Sequence, residues 1–528
     1  MTPLHARWNA LLFIRHARTV ADNPLFNFAF LFSLVSIMNK SVPRYNELIY
    51  LPALLKRWNP RYLLNDWTFS ERSAAHDVFN LLFGFPTLLF PLEIVGWIGR
   101  VVCWSLLIMA LLQLGQLLRI PRWCITLSIV LWLLVRQSVF GHERILGPFE
   151  AKSVAYVMLL FSITGFLKNR LVFPSVLLGL SVSFHPVVGV WGGLAIGLSL
   201  MVCRYPFHRL VNIGCYAFLF ALPGLMLMFP VVFQMSARSS DDWRFISLVV
   251  LPSDFDPLSF PNEKLLLLCV LLTFNWLYFR QKRGDQSIRF LMAFQGFLGV
   301  LFSLGVFSRL TENIHLLKLM PGRLFPVFVA LFFFFNLMHA FHHRSSLRIQ
   351  AGLLALAMLA FLPPETSLAR PVQRPGDRHW AYTHNDDDLR RSFTWISENT
   401  LNGSVAILPP WKKDSFYYSK RAQVASWHAV RVDRPGEWRT RMESMVGDVA
   451  KATGSGRTKY ERMEHHYHHL TEADVFSISE QYGAEYFVSG QAYPYPVLFD
   501  SPTYKVYLLR RNVPSSTNGP QAPHDRDS

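Results

Sequence analysis

Charge is scarce in this 528-residue chain: Asp, Glu, Lys and Arg make up 16% of it, against about 25% in ordinary soluble domains. With 51% hydrophobic residues beside that deficit, lipid is indicated as the solvent for much of the chain. Cysteine is scarcer still. The five, Cys103, Cys124, Cys203, Cys215 and Cys269, all lie in or beside apolar runs. The last third has none, which excludes a disulfide framework or a CxxC metal site there, and packing as small hydrophobes is the role left for the five. There is no Walker loop, no GxGxxG opening a helix, no GxSxG and no HExxH, so the familiar nucleotide, hydrolase and metalloprotease signatures are missing.

What is present is basic charge in particular places. The formal net charge is +17, made of 31 Lys/Arg against 15 Asp/Glu up to Pro364 and 21 against 20 beyond it. A nucleic-acid binder gathers its basic residues on a soluble face. Here they recur between apolar runs, at Arg119/Arg122, Lys168/Arg170, Arg204/Arg209, Arg280/Lys282/Arg283/Arg289 and Arg344/Arg348. Placing those connections in the cytoplasm satisfies the positive-inside bias. Arg7, Arg15 and Arg18 precede the first apolar run with no small-residue cleavage site, which reads as a signal anchor.

A helix needs roughly 20 residues to cross a hydrocarbon core of about 30 Å. Apolar runs approach that length at 26–41, 92–118, 123–139, 152–168, 171–188, 189–203, 210–230, 264–280, 289–308, 323–342 and 349–363. About eleven spans put the termini on opposite sides, with the N-terminus cytoplasmic. The fold class expected is a mostly α polytopic membrane protein with a C-terminal soluble α/β domain. Its parts are 1–364 in the membrane with acidic far-side loops, a linker at 365–378, a soluble extracytoplasmic domain at 379–512 and a disordered tail at 513–528. In the first far-side loop, His76–Leu89 reads as an amphipathic helix at the membrane interface.

In the tail, Leu389–Asn399 and Val475–Tyr482 have helical spacing, and Ser404–Leu408, Val424–Trp427, Ala484–Ser489 and Tyr504–Leu509 read as strands. Alternating helices and strands predict a small α/β layer. The acidic triple Asp386–Asp388 reads as the cap of the helix that follows, and His465, His466, His468 and His469 as an exposed face.

The candidate chemistry lies in the far-side loops. Glu47 follows the first apolar run closely and Asp66 comes about 20 residues later; such carboxylates serve as a general base or hold a divalent cation. The alternative is pairing with Arg44, Lys56, Arg57 or Arg61. The second loop sets Glu143, Arg144, Glu150 and Lys152 between membrane helices, a depth at which ionisable groups mark function or pair with one another. Ser183-Phe-His185-Pro186 breaks two apolar helices; His185 either caps the second helix or donates to a phosphate. Leu319-Met-Pro321-Gly-Arg323, with Lys318 before it, places a guanidinium at the far-side start of a late helix. Its planar fork suits bidentate phosphate binding; snorkelling to headgroups is the other reading.

With these pieces in order, the chain resembles the GT-C superfamily of membrane glycosyltransferases. That group includes protein O-mannosyltransferases, aminoarabinose transferases and oligosaccharyltransferase catalytic subunits. The resemblance covers about Asn23–Leu509: an acidic first far-side loop with helices, a second acidic loop, a Phe-His-Pro break and a Leu-x-Pro-x-Arg start to a late helix. Ile407–Trp411, Phe416–Arg421, Ser426-Trp427 and Gly483–Val488 look like the tails of uncharacterised bacterial members. The resemblance implies sugar transfer from a polyprenyl-phosphate donor to an acceptor outside the cytoplasm of a bacterium, with the chain in the inner membrane. It implies an acceptor or metal role for Glu47, with Asp66 and Glu150 as further catalytic carboxylates. Contacts to the lipid phosphate fall to Arg323, Lys318, Arg144 and His185, and a divalent cation remains compatible. A transporter or flippase of a lipid-linked or polysaccharide substrate, or a non-catalytic membrane scaffold, is the alternative. No internal repeat of the kind common in transporters is visible, and a scaffold has no need of the acidic first loop.

Overall fold

The computed structural model describes residues 21–39, 41–69, 76–140, 143–236, 240–281, 284–343, 384–431, 433–449 and 457–509. The basic residues before position 19, the expected span at 349–363, the linker at 365–378 and the tail at 513–528 lie outside them. The chain divides into two compact units. One comprises Met1–Asn59, Arg72–Arg378 and Val432–Pro435, the other Pro60–Glu71, His379–Arg431 and Gly436–Ser528.

The described part of the first unit is helical. Its long elements are α1 (Pro24–Met38), α2 (Glu47–Trp58), α3 (Asp77–Gly84), α4 (Leu92–Leu117), α5 (Arg122–Leu134), α6 (Ala151–Leu167), α7 (Val172–Phe184), α8 (Pro186–Val202) and α9 (Phe207–Ser236). After these come α10 (Ser240–Phe245), α11 (Pro252–Phe255), α12 (Asn262–Gln281), α13 (Gln286–Leu310), α14 (Ile314–Leu317) and α15 (Phe325–His343). Five helices, at Leu92–Leu117, Phe207–Phe229, Asn262–Gln281, Gln286–Leu310 and Phe325–His342, are long and apolar enough to cross a membrane. α1, α5, α6, α7 and α8 are apolar but only 13–17 residues long, so their lengths alone do not establish the eleven crossings expected. α15 is apolar all round, and most of it is buried among other helices, as a core helix should be.

The interfacial helix is shorter than its sequence suggests. α3 ends at Gly84, and Phe85–Leu88 continues as a 3₁₀ turn carrying Pro86, which has no N–H to give to an α-helical bond. Leu81, Leu82, Phe85, Leu88, Leu89 and Phe90 remain exposed along this stretch, an apolar stripe of the interfacial kind. Arg57 Nε donates to Asp77 Oδ1 at 2.8 Å and ties α2 to α3.

The second unit is a five-stranded sheet packed with helices: α16 (His384–Asn399), α17 (Ser415–Ser419), α18 (Pro435–Val446), α19 (Arg457–His468) and α20 (Glu472–Tyr482). Its strands are β1 (Val405–Ile407), β2 (Ala422–Gln423), β3 (Ala484–Ser489), β4 (Val497–Asp500) and β5 (Lys505–Leu508). The order is β2-β1-β3-β5-β4. β1 runs parallel to β2 and β3, and β5 antiparallel to β3 and β4. Leu389, Phe393 and Ile396 of α16 pack on Ala406, Leu408, Val488 and Val506.

Three expectations need correction. The strand foreseen at Val424–Trp427 is displaced to Ala422–Gln423, because Trp427 N–H turns away to Pro410 O. β4 was not foreseen: it is an edge strand whose residues are mostly exposed, so it shows no alternating apolar pattern. The acidic triple lies inside α16 rather than ahead of it, where Asp388 accepts from the Thr503 hydroxyl at 2.8 Å.

Twelve residues between α2 and α3, Pro60–Glu71, belong to the second unit. Tyr62 Oη donates to Phe416 O at 3.2 Å, and Asn65 Nδ2 to Gly403 O at 2.9 Å. Trp67 accepts at its carbonyl from Arg431 Nη1 at 2.6 Å. The guanidiniums of Arg431 and Arg441 lie 5.1 and 4.5 Å from the Trp67 ring centroid.

Candidate functional site

The second acidic loop is held by polar bonds that its sequence does not announce. Gln137, at φ 68°, accepts from the N–H groups of Ile145 and Leu146 at 2.7 and 2.8 Å and donates to Leu146 O at 2.8 Å. Trp104 Nε1 donates to Gly147 O at 2.7 Å. Gly99 lets the loop close on α4: a Cβ there would meet the Phe149 ring at 2.4 Å. The loop is thereby fixed with Glu143 near one end and Glu150 at the start of α6.

Four charged side chains meet beside it. Arg323 donates from Nε and Nη2 to Glu143 Oε2 at 3.3 and 3.1 Å. Lys152 Nζ lies 3.7 Å from the same oxygen and 3.2 Å from Glu150 Oε2, and Asn46 Nδ2 donates to Glu150 Oε2 at 3.2 Å. Burial pushes the Glu143 carboxyl up, but Arg323 and Lys152 together outweigh it and hold it below the usual range. Glu143 is 7% exposed, yet among the described residues its buried Oε1 has no hydrogen-bond partner, and neither has the Tyr156 hydroxyl. Arg323 turns Nη1 toward Met320 Sδ at 3.2 Å, a weak acceptor that a better one displaces readily.

His185 sits at the tight turn between α7 and α8, where its Nδ1 accepts from Val188 N–H at 3.3 Å. The turn requires small residues: a Cβ on Gly189 would meet the Val182 backbone at 2.2 Å. With Nδ1 accepting, the neutral ring carries its proton on Nε2. The His185 ring lies 5.2 Å from that of His76, whose Nε2 is 3.2 Å from Tyr50 Oη.

Glu143 and Arg323 line a small pocket, a cavity of about 50 Å³ that opens to solvent. Asp254, Asp256, Phe140, Phe260, Phe302 and Met320 share its wall. Asp256 is anchored by Arg309 Nε at 3.1 Å and by Leu258 N–H at 2.9 Å. Phe140 and Phe260 stack with centroids 3.9 Å apart.

The other candidates lie elsewhere. Glu47 is fully buried, and both of its oxygens are taken: Arg100 donates to Oε1 at 2.6 Å and Oε2 at 2.5 Å, Phe149 N–H to Oε1 at 2.6 Å and Arg44 N–H to Oε2 at 2.9 Å. Asp66 belongs to the second unit, where it accepts from Gln423 N–H at 3.0 Å and Phe69 N–H at 3.0 Å. The Arg144 guanidinium lies 4.6 Å from the Tyr45 ring centroid, and Lys318 Nζ 5.6 Å from that of Trp243. Sequence reasoning missed Asp254 and Asp256, although Asp254-Phe-Asp256 stands plainly between the apolar runs 210–230 and 264–280.

No protein-family model matches the chain, and no curated protein matches it. Among solved structures it is similar to the archaeal oligosaccharyltransferase AglB from Archaeoglobus fulgidus, in complex with an inhibitory peptide and a dolichol-phosphate. The TM-score is 0.47 at 12% identity, covering 88% of this chain and 69% of that one.

Among the described residues no group of three or more His, Cys, Asp or Glu side chains could hold a metal ion.

Proposed function

We propose that the chain is a membrane glycosyltransferase that moves a sugar from a polyprenyl-phosphate-linked donor to a hydroxyl on an extracytoplasmic acceptor. The observation that carries this reading is the guanidinium of Arg323 on the wall of a pocket, oriented by Glu143 and backed by Lys152. Arg323 and Lys152 are balanced by Glu143 and Glu150, and Asp254 on the same pocket wall adds a negative charge that Arg323 also feels. A sugar phosphodiester brings one negative charge, and its phosphate gains a second as the sugar leaves. Fixed cations already counterbalanced by carboxylates grip the first charge modestly and stabilise the second where it develops, which is the differential that accelerates a reaction. One oriented donor of this kind contributes about 3–4 kcal/mol to a barrier. His185 Nε2–H and the Tyr156 hydroxyl supply further donors close to Arg323. Glu47, with both oxygens occupied, has a structural part in this reading.

The test is transfer of a labelled hexose from undecaprenyl phosphate by the purified full chain in lipid nanodiscs, with binding of undecaprenyl phosphate measured alongside. Arg323→Ala should lower transfer at least about 100-fold. A wild-type chain that neither binds this lipid phosphate nor releases the hexose would reject the proposal and favour a transporter or scaffold.

A further inference from the structure

We infer that Asp254 is the catalytic base, taking the proton from the acceptor hydroxyl; the inference rests on the glycosyl-transfer reading above. The argument is one of availability. Glu47 accepts four hydrogen bonds and is fully buried. Glu150 is held by Lys152 and Asn46. Glu143 gives one oxygen to Arg323 and Lys152 and keeps the other buried. Asp256 is occupied by Arg309 and Leu258 N–H. Asp254 lines the same pocket as Arg323 and is partly exposed. Among the described residues its side chain makes no hydrogen bond or close ion pair, and the charge it acts on is that of Arg323.

The local fold explains why this carboxylate is left available. A π-helical turn at Ile246–Val250 leads to Pro252, which starts the single turn of α11. Phe255 then buries itself near Trp243, their centroids 6.3 Å apart, and Asp256 is pinned by Arg309. With the segment fixed on its far side, Asp254 is held at the pocket wall without being consumed by the fixing. Glu143 Oε1, nine-tenths buried and, among the described residues, unpartnered beside the same pocket, is a second acceptor awaiting a donor. A hydroxyl-bearing sugar or side chain offers such donors, and the ring edges of Phe140, Phe260 and Phe302 give its apolar surface a wall.

In the step, the acceptor O–H bond breaks and its proton passes to Asp254. The acceptor oxygen forms the bond to the anomeric carbon. The bond from that carbon to the phosphate oxygen breaks, its electron pair stays with the phosphate, and the added charge faces Arg323.

The experiment compares Asp254→Asn and Asp254→Glu in the full chain, using undecaprenyl phosphate for binding and its hexose conjugate, with glycerol and a serine peptide as acceptors, for single-turnover transfer. Asp254→Asn should lower transfer about 100-fold or more. Its affinity for undecaprenyl phosphate should stay within about threefold, which also shows that it has folded, and Asp254→Glu should recover part of the rate. Transfer by Asp254→Asn within about threefold of wild type overturns the inference. So does a loss of lipid-phosphate affinity matching the loss of rate, because Asp254 would then belong to the binding frame. If the wild-type chain neither binds the lipid phosphate nor transfers the hexose, the glycosyl-transfer reading itself fails and takes the inference with it.

Discussion

Arg100 grips Glu47 with two nitrogens, Nε on one oxygen at 2.6 Å and Nη2 on the other at 2.5 Å, and neither side chain is exposed. The guanidinium spends its remaining Nη1 on Asn39 O at 2.8 Å. One bond thus ties the end of α1, the start of α2, the middle of α4 and, through Phe149 N–H, the second acidic loop.

Removing one partner of such a pair leaves the other charge buried and uncompensated, at about 3–5 kcal/mol, whereas replacing both by apolar groups is often neutral. Glu47→Gln should therefore lower the melting temperature and the monodisperse yield of the full chain. The double variant Glu47→Met with Arg100→Met should recover at least half of the loss. If Glu47→Gln melts as the wild type does and yet transfers no sugar, Glu47 returns as the base.

Glu143 and Arg323 should respond with opposite signs. Glu143→Gln removes a carboxylate that competes with the substrate phosphate for Arg323 and Lys152, so affinity for undecaprenyl phosphate should rise about threefold or more. Arg323→Lys should weaken it about tenfold, because an ammonium cannot reproduce the fork. Equilibrium binding in nanodiscs measures both. Unchanged affinity in the two variants would leave Arg323 as a headgroup anchor only.

What could be read from the sequence follows its periodicity. α4, α12, α13 and α15 fall where apolar runs foretold them, since a long run admits few other structures. The Phe-His-Pro break at His185 was legible because proline at a helix start and a capping side chain before it are local features. Arg323 and the second acidic loop stood out as charge where charge is costly. Glu47 stood out for the same reason, but sequence could not reveal Arg100, 53 residues away on α4, as its partner. Asp254 lay in a loop whose place on the pocket wall depends on Arg309 reaching Asp256. Nor does local pattern carry the assignment of Asp66 to the sheet-bearing unit, which rests on a backbone bond to Gln423 over a separation of 357 residues.

That assignment carries its own consequence. The sheet-bearing unit takes in Pro60–Glu71, with Asp66 on Gln423 N–H and the Trp67 ring against two guanidiniums. A fragment beginning at His379 lacks this segment, exposing the groups it covers and taking the Trp67 ring away from Arg431 and Arg441. It should be less stable than the same unit within the full chain. A synthetic 60–71 peptide should raise its melting temperature, and the peptide with Asp66→Asn and Trp67→Ala should not. Indifference of the fragment to either peptide would count against this segment as part of the unit.

The last expectation concerns acid. His428 donates from Nε2 to Trp411 O at 2.9 Å and stacks on Tyr460 with centroids 5.8 Å apart. Burial first, then the nearby Lys413, and more weakly Lys459, push its pKa down to about 3. A histidine in the unfolded chain titrates near about 6.5. Between those two values the unfolded form holds about one proton more than the folded form at this position, so stability rises with pH there. The contribution is complete above about pH 7 and is lost progressively as pH falls toward 3. Hydrogen exchange of the backbone around Trp411 and His428 in the full chain should therefore speed up between pH 6.5 and 4.5, after correction for the intrinsic exchange rate. Most carboxylates have not yet titrated in that window, which isolates the histidine. His428→Gln keeps an N–H donor for Trp411 O but has nothing to protonate, so its corrected exchange should be flat over the same range. A wild-type profile as flat as that of the glutamine variant would mean that His428 is readily protonated in the folded protein.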